Sequence, residues 1–158
     1  MRFFAVDYGT RRVGLAASDE LGWGAYPVAT ITRSRSLAHD LGEIARRAAK
    51  EEADAIVVGL PLNADGSRGP AAEAAAQFAR ALAKHTPLPV HLFDEFLTTW
   101  EAEQELIAAD VSRAKRRRVI DQMAAVHLLE AFLRAHREEE QRAAAAQKQQ
   151  AAEAEAPD

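Results

Sequence analysis

Residues 55–61, "AIVVGLP", form a continuous apolar run with no polar position to turn towards water. A strand covered on one face alternates apolar with polar, whereas a strand covered on both, as in parallel sheets, reads as an unbroken apolar run. A chain that contains such a strand must cover both faces of its sheet, so helices are expected on either side. With 158 residues, 48% of them hydrophobic, the chain is long enough for one well-buried domain and too short for two full ones.

The segments around that run supply the rest of the sheet. Residues 2–7, 12–18 and 25–31 read as strands with tight links at Gly9-Thr10 and at Gly22 and Gly24, which makes a meander. Residues 36–52 place Leu37, Leu41, Ile44, Ala45 and Ala48 at helical spacing, with Ser36 as N-cap. After the polar loop "PLNADGSRG", a helix is expected from Pro70 to about Lys84, with proline in its first turn. "PVHLFDE" (89–95) reads as a fifth strand, and Thr98 with Glu101 forms a T-x-x-E capping box that starts another helix. The last ordered helix is expected over 113–134. The order βββ-α-β-α-β-α predicts an α/β fold: a five-stranded mixed sheet, three strands in a meander plus two parallel strands, with helices on both faces. Residues 1–136 form the expected domain. Residues 137–158 are low-complexity without an apolar face, and are expected to be a disordered or frayed helical tail.

Cysteine is absent, which excludes disulfides, thiolate catalysis and Cys-ligated zinc. No apolar run reaches the length of about 18 residues needed to span a membrane, and the first residues lack the apolar core of a signal peptide. A cytoplasmic protein with no membrane partner is the expectation. The net charge of −4 lies mostly in the tail, where six acids face three bases from Arg137 onward. The remainder is near neutral, with bases clustered at 11–12 and 113–118.

Acids stand where a purely structural sequence avoids them. Asp7 ends the first strand, Asp94 and Glu95 end the fifth, and Asp121 shares a helix face with Ala124, Ala125, Leu128 and Phe132. With the first strand central, the ends of strands one, four and five share one edge, onto which Asp121 descends from its helix. Carboxylates gathered so closely repel one another unless a divalent cation sits among them, and Mg²⁺ or Mn²⁺ prefers such oxygen ligands. Two such ions stabilise the attacking and leaving oxygens of an in-line phosphoryl displacement. Gly9 would then let a phosphate approach the backbone, and Arg11 and Arg12 would hold the nucleic-acid backbone. Local readings stand beside these: Asp7 paired with Arg11 or Arg12, Asp94 or Glu95 leading into the capped helix, and Asp121 paired with Arg117 or Arg118.

Four blocks in order, "DYGTRRVGLAASD" (7–19), "VVGLPLNADGSRG" (57–69), "DEFLTTWEAE" (94–103) and "AKRRRVIDQMAAVHLLEAFL" (114–133), resemble the YqgF (RuvX) family of bacterial nucleases with an RNase H-like fold. The resemblance runs from Arg2 to Leu133. It implies metal-dependent phosphodiester hydrolysis with catalytic acids at Asp7, at the Asp94–Glu95 pair with Glu95 favoured, and at Asp121. Members are named either as Holliday junction resolvases or as nucleases that trim the 5′ end of the small-subunit rRNA precursor. The partner is thus RNA or branched or single-stranded DNA, and a junction resolvase would act as a homodimer. The family's third block usually reads D-E-R-L-T-T. Here Phe96 replaces the arginine, so one cation beside the carboxylates is lost.

In the implied mechanism Asp7 bridges both metals, Glu95 (or Asp94) holds one, and Asp121 completes the other. Water made more acidic by an ion attacks phosphorus in line, leaving 5′-phosphate and 3′-hydroxyl ends. Lys115, Arg116, Arg117 and Arg118 supply phosphate contacts one turn before Asp121. Asn63, with Ser67 and backbone amides of its loop, is a further candidate phosphate ligand. Trp23 is expected to pack in the core or its hairpin, or else to stack on a base or a partner subunit, and Trp100 to pack. The histidines (39, 85, 91, 127 and 136) lack metal-ligand spacing and read as structural or surface residues. Two other functions fit parts of the pattern. "DYGTRRVG" also resembles the D-x-G-T phosphate loop of the actin and sugar-kinase group, whose members use two such domains to enclose ATP. The same surface would also serve a module that grips nucleic acid or a ribosomal partner without cutting it.

Overall fold

The computed structural model describes residues 1–95 and 113–157, with side chains described for 1–94 and 123–157. Three strands, β1 (Phe3–Tyr8), β2 (Arg12–Ser18) and β3 (Ala25–Thr32), form the meander. Helix α1 (Leu37–Lys50) leads to β4 (Ala55–Pro61), and α2 (Pro70–Ala83) leads to β5 (Val90–Glu95). A long helix, α3 (Arg113–Glu155), closes the fold. The helix expected from Thr98 and Glu101 lies outside the described residues, as do Phe96 and Trp100.

The strand order is β3-β2-β1-β4-β5, with β1 central as expected. It pairs antiparallel with β2 and parallel with β4, and β4 pairs parallel with β5. This is the five-stranded mixed sheet expected, a three-strand meander plus two parallel strands. The β2–β3 ladder shifts register between Leu15 and Ala16, beside Pro27 on the edge strand β3. An edge is where a residue without an N–H is tolerated.

Alternation in β4 explains its unbroken apolar run. Ile56, Val58 and Leu60 join Phe4, Val6, Val13 and Leu15 in a layer covered by Leu41, Ile44 and Ala48 of α1 and by α2. Ala55 and Val57 join Phe3, Ala5 and Ala16 under Ala125, Leu128, Leu129 and Leu133 of α3. Each layer removes its apolar side chains from water, worth roughly 25 cal/mol per Å².

The predicted helix starts are present. The Ser36 hydroxyl accepts from the His39 N–H at 3.2 Å, and Pro70 opens α2. Helix α3 continues through the low-complexity segment to Glu155, with every residue from 138 to 157 exposed. Alanine, glutamine and glutamate favour the helix intrinsically. Pairs four residues apart, Glu138–Arg142 and Gln149–Glu153, add a little support.

Candidate active site at the C-terminal edge of the sheet

Because β1, β4 and β5 run parallel, their C-terminal ends lie along one edge of the sheet. Asp7 sits there, half-buried, opposite Gly14 of β2. One step beyond the Val6–Val58 pair, Asp7 falls beside Gly59. Neither neighbouring strand therefore carries a side chain at the level of the Asp7 carboxylate.

Alternation separates the two acids of β5. Odd positions of β1 and β4, from Phe3 and Ala5 to Ala55 and Val57, contribute to the layer beneath α3. Phe93 belongs to that same layer and meets the Phe132 ring edge-on at 5.6 Å. Phe93 is the β5 position level with Asp7 across Gly59, and position 95, two further along and on the Asp7 side by strand alternation, lies about 12 Å from Asp7. Asp94 falls on the opposite face and is exposed. The adjacent pair thus splits between the two sides of the sheet. The Glu95 side chain lies outside the described residues.

Helix α3 is anchored at the far end of β1, where the rings of Phe3 and Phe132 meet at 5.0 Å. From Phe132 back to position 121 is eleven residues, about 16 Å of helix. From Phe3 forward to Asp7 is four residues, about 13 Å of strand. Ala124, Ala125 and Leu128 form the buried stripe of α3, and position 121 lies one turn before Ala124 and Ala125 on the same helix. The Asp121 side chain is outside the described residues, as are those of Lys115, Arg116, Arg117 and Arg118 in the first turns of α3. Among the described residues, no three His, Asp or Glu side chains gather to hold a metal ion.

The turn after Asp7 is built differently from the expectation for Gly9. Its N–H donates to the Arg12 carbonyl at 3.0 Å, and a Cβ there would lie 2.6 Å from that oxygen. The glycine is needed by the turn itself, and the space it leaves is filled by Arg12. Arg11 and Arg12 are exposed, as a phosphate contact requires. A residue that sequence reading missed, Arg33, directs its guanidinium at the Gly9 and Thr10 carbonyls, 3.2 and 3.1 Å away. Nothing local marks it, since the contact crosses 24 positions of sequence.

Asn63 organises its own loop. Its amide donates to the Ser67 hydroxyl at 3.0 Å, and its carbonyl accepts from Gly66, which takes φ +83°. Ser67 in turn donates its N–H and hydroxyl to Asp65, whose carboxyl these bonds, the hydroxyl first, hold below its ordinary range. The polar groups expected to meet a phosphate are engaged with one another.

At the opposite end of the sheet, Trp23 is 69% exposed, with the Arg137 guanidinium 5.3 Å from its ring centre. It does not pack into its hairpin. The Asp19 carboxylate holds that turn by accepting from the N–H groups of Trp23 and Gly24. His91 and His136 stack on Phe132, a structural use. No helix among the described residues is long and apolar enough to cross a membrane.

The RuvX family model, described as Holliday junction resolvase, matches residues 1–135. A relative from Moorella thermoacetica named "Putative pre-16S rRNA nuclease" is 51% identical over 136 residues, covering 84% of this chain and 94% of its own. One of the same name from Myxococcus xanthus is 48% identical over 137 residues, covering 87% and 90%. Among solved structures, Thermus thermophilus RuvC in complex with Holliday junction substrate aligns with a TM-score of 0.49 at 16% identity, covering 86% of this chain and 96% of that one. On the family match and these identities, the chain belongs to the RuvX family.

Proposed function

We propose that this chain is a divalent-metal-dependent nuclease that hydrolyses phosphodiester bonds in nucleic acid. The observation that carries the reading is Asp7 near the C-terminal end of the central strand, flanked by Gly14 of β2 and Gly59 of β4. The names of the relatives favour a precursor of 16S rRNA as substrate. The family's description favours a branched DNA junction as the second reading.

Carboxylate oxygens suit Mg²⁺ or Mn²⁺, so the donor set fits the group the family implies. Asp7, Glu95 and Asp121 would hold a pair of ions; strand alternation supports Glu95 over Asp94. When bound, such ions make water a better nucleophile and stabilise charge on the attacking and leaving oxygens. The chain's own residues do the rest. Arg11 and Arg12 bind the phosphate beside the scissile bond, and Lys115 to Arg118 bind phosphates further along the strand.

A side-by-side cleavage assay tests this with a four-way DNA junction, single-stranded DNA and a structured precursor-like RNA, each with Mg²⁺, with Mn²⁺ and with chelator. The expected result is metal-dependent cutting that Asp7→Asn reduces by at least about 10³-fold while substrate binding is kept. The preferred substrate then decides between rRNA maturation and junction cleavage. Binding without cutting on every substrate, alike in wild type and Asp7→Asn, would replace the nuclease with a binding module.

A further inference from the structure

Arg33 commits its donors to the turn that follows Asp7. Three consecutive carbonyls face this one residue: Gly9 and Thr10 accept from its guanidinium, and Arg11 accepts from its backbone N–H at 2.8 Å. The guanidinium also lies 4.4 Å over the Tyr8 ring, which stacks on buried Phe78 at 4.1 Å with 12° between the planes. Cation–π contact and the packed ring beneath restrict where the fork can point.

In a trans peptide the C=O and N–H are antiparallel within one plane. Carbonyls of Gly9 and Thr10 turned towards the Arg33 guanidinium therefore send the next N–H groups, on Thr10 and Arg11, the opposite way. Among the described residues, no backbone carbonyl accepts from the N–H of Thr10 or Arg11. Successive N–H groups facing one side make a concavity that attracts anions, and here the exposed Arg11 and Arg12 side chains stand beside it.

We propose that Arg33 is a positioning residue for phosphate capture: it holds the Gly9 and Thr10 carbonyls inward, so that the amides of Thr10 and Arg11, with the exposed side chains beside them, present one anion-binding face next to Asp7. This rests on the nuclease reading above. Arg33 itself is directed at carbonyls and makes no phosphate contact. Lysine offers no planar face to lie over Tyr8, so charge alone does not replace it.

The test measures binding of a labelled structured RNA and a labelled four-way DNA junction by Asp7→Asn protein, with and without Arg33→Gln or Arg33→Lys, over a salt series. Both Arg33 variants are expected to weaken binding about tenfold, the effect of losing one to two ordering hydrogen bonds. The slope of log affinity against log salt stays unchanged, because the phosphate-contacting charges remain. In Asp7-intact protein the same variants raise KM and leave kcat within about twofold. Full affinity with Arg33→Lys would overturn the proposal in favour of simple charge. A slope smaller by about 0.7–0.9 would overturn it by making Arg33 a phosphate contact. Unchanged affinity in both variants would also overturn it. Should Arg33→Gln fail to fold, the conservative Arg33→Lys decides. If the Asp7→Asn parent binds neither probe, nucleic-acid recognition falls and this proposal with it; a parent that binds while both variants match it removes this proposal alone.

Discussion

Replacing Gly9 with alanine tests the turn geometry on which the site depends. The added Cβ would lie 2.6 Å from the Arg12 carbonyl oxygen and 3.7 Å from its carbon. Ordinary contact begins near 3.4 Å, so the two strands must separate locally by about 0.8 Å. The obstacle is backbone, with no side-chain rotamer to yield. Such overpacking costs about 1–3 kcal/mol, and the Gly9–Arg12 hydrogen bond adds about 1 if it is lost. Some of this is offset because alanine restricts the unfolded chain. A net loss of about 2–3 kcal/mol lowers Tm by roughly 10 °C for a domain of this size. Gly42 is the internal control: it lies inside α1, is exposed, and has nothing within 4 Å of an added Cβ. Gly42→Ala should raise stability by about 0.5–1 kcal/mol through helix propensity. Thermal and urea unfolding of the two variants should thus move in opposite directions. If Gly9→Ala melts at or above the wild-type temperature, the Gly9–Arg12 approach is wrong, and the argument for Arg33 and the amide face loses its geometry.

Leu128 is fully buried beneath the sheet, so Leu128→Ala should cost about 2–5 kcal/mol in urea unfolding. The N–H of Trp23, then that of Gly24, holds the Asp19 carboxyl below its ordinary value. A depressed folded pKa gives stability that is present above the unfolded value near 3.9 and is lost as pH falls through the folded pKa. The Trp23 amide resonance should therefore titrate with a midpoint below about 3.9, and Asp19→Ala should abolish that transition. Removing residues 138–158 deletes exposed helix and weak surface pairs only, and should leave Tm unchanged within about 2 °C.

The strands were legible because period-two patterning and turn residues are local properties. The unbroken run at 55–61 also announced a strand covered on both faces, and Ser36 and Pro70 marked helix starts that the structure keeps. The extent of α3 was less legible. Propensity favours helix through the tail, while the lack of an apolar face suggests fraying, and no local signal ranks the two. Trp23 was open for the same reason, since an aromatic in a hairpin reads alike whether it packs or stays exposed.

At the edge of the sheet, the residue types pointed to the chemistry and the fold distributed the roles. Sequence alone determined that acids stand near the ends of β1 and β5 and that arginines follow Asp7, because position along a strand is counted in residues. Only the tertiary structure decided which positions stand level at that edge, Asp7 with Gly14, Gly59 and Phe93, because that depends on register across three strand pairs. It also decided why Gly9 is a glycine and what Arg33 does. Both answers are contacts between backbone groups of different strands, and their distances exist only once β1, β2 and β3 lie side by side.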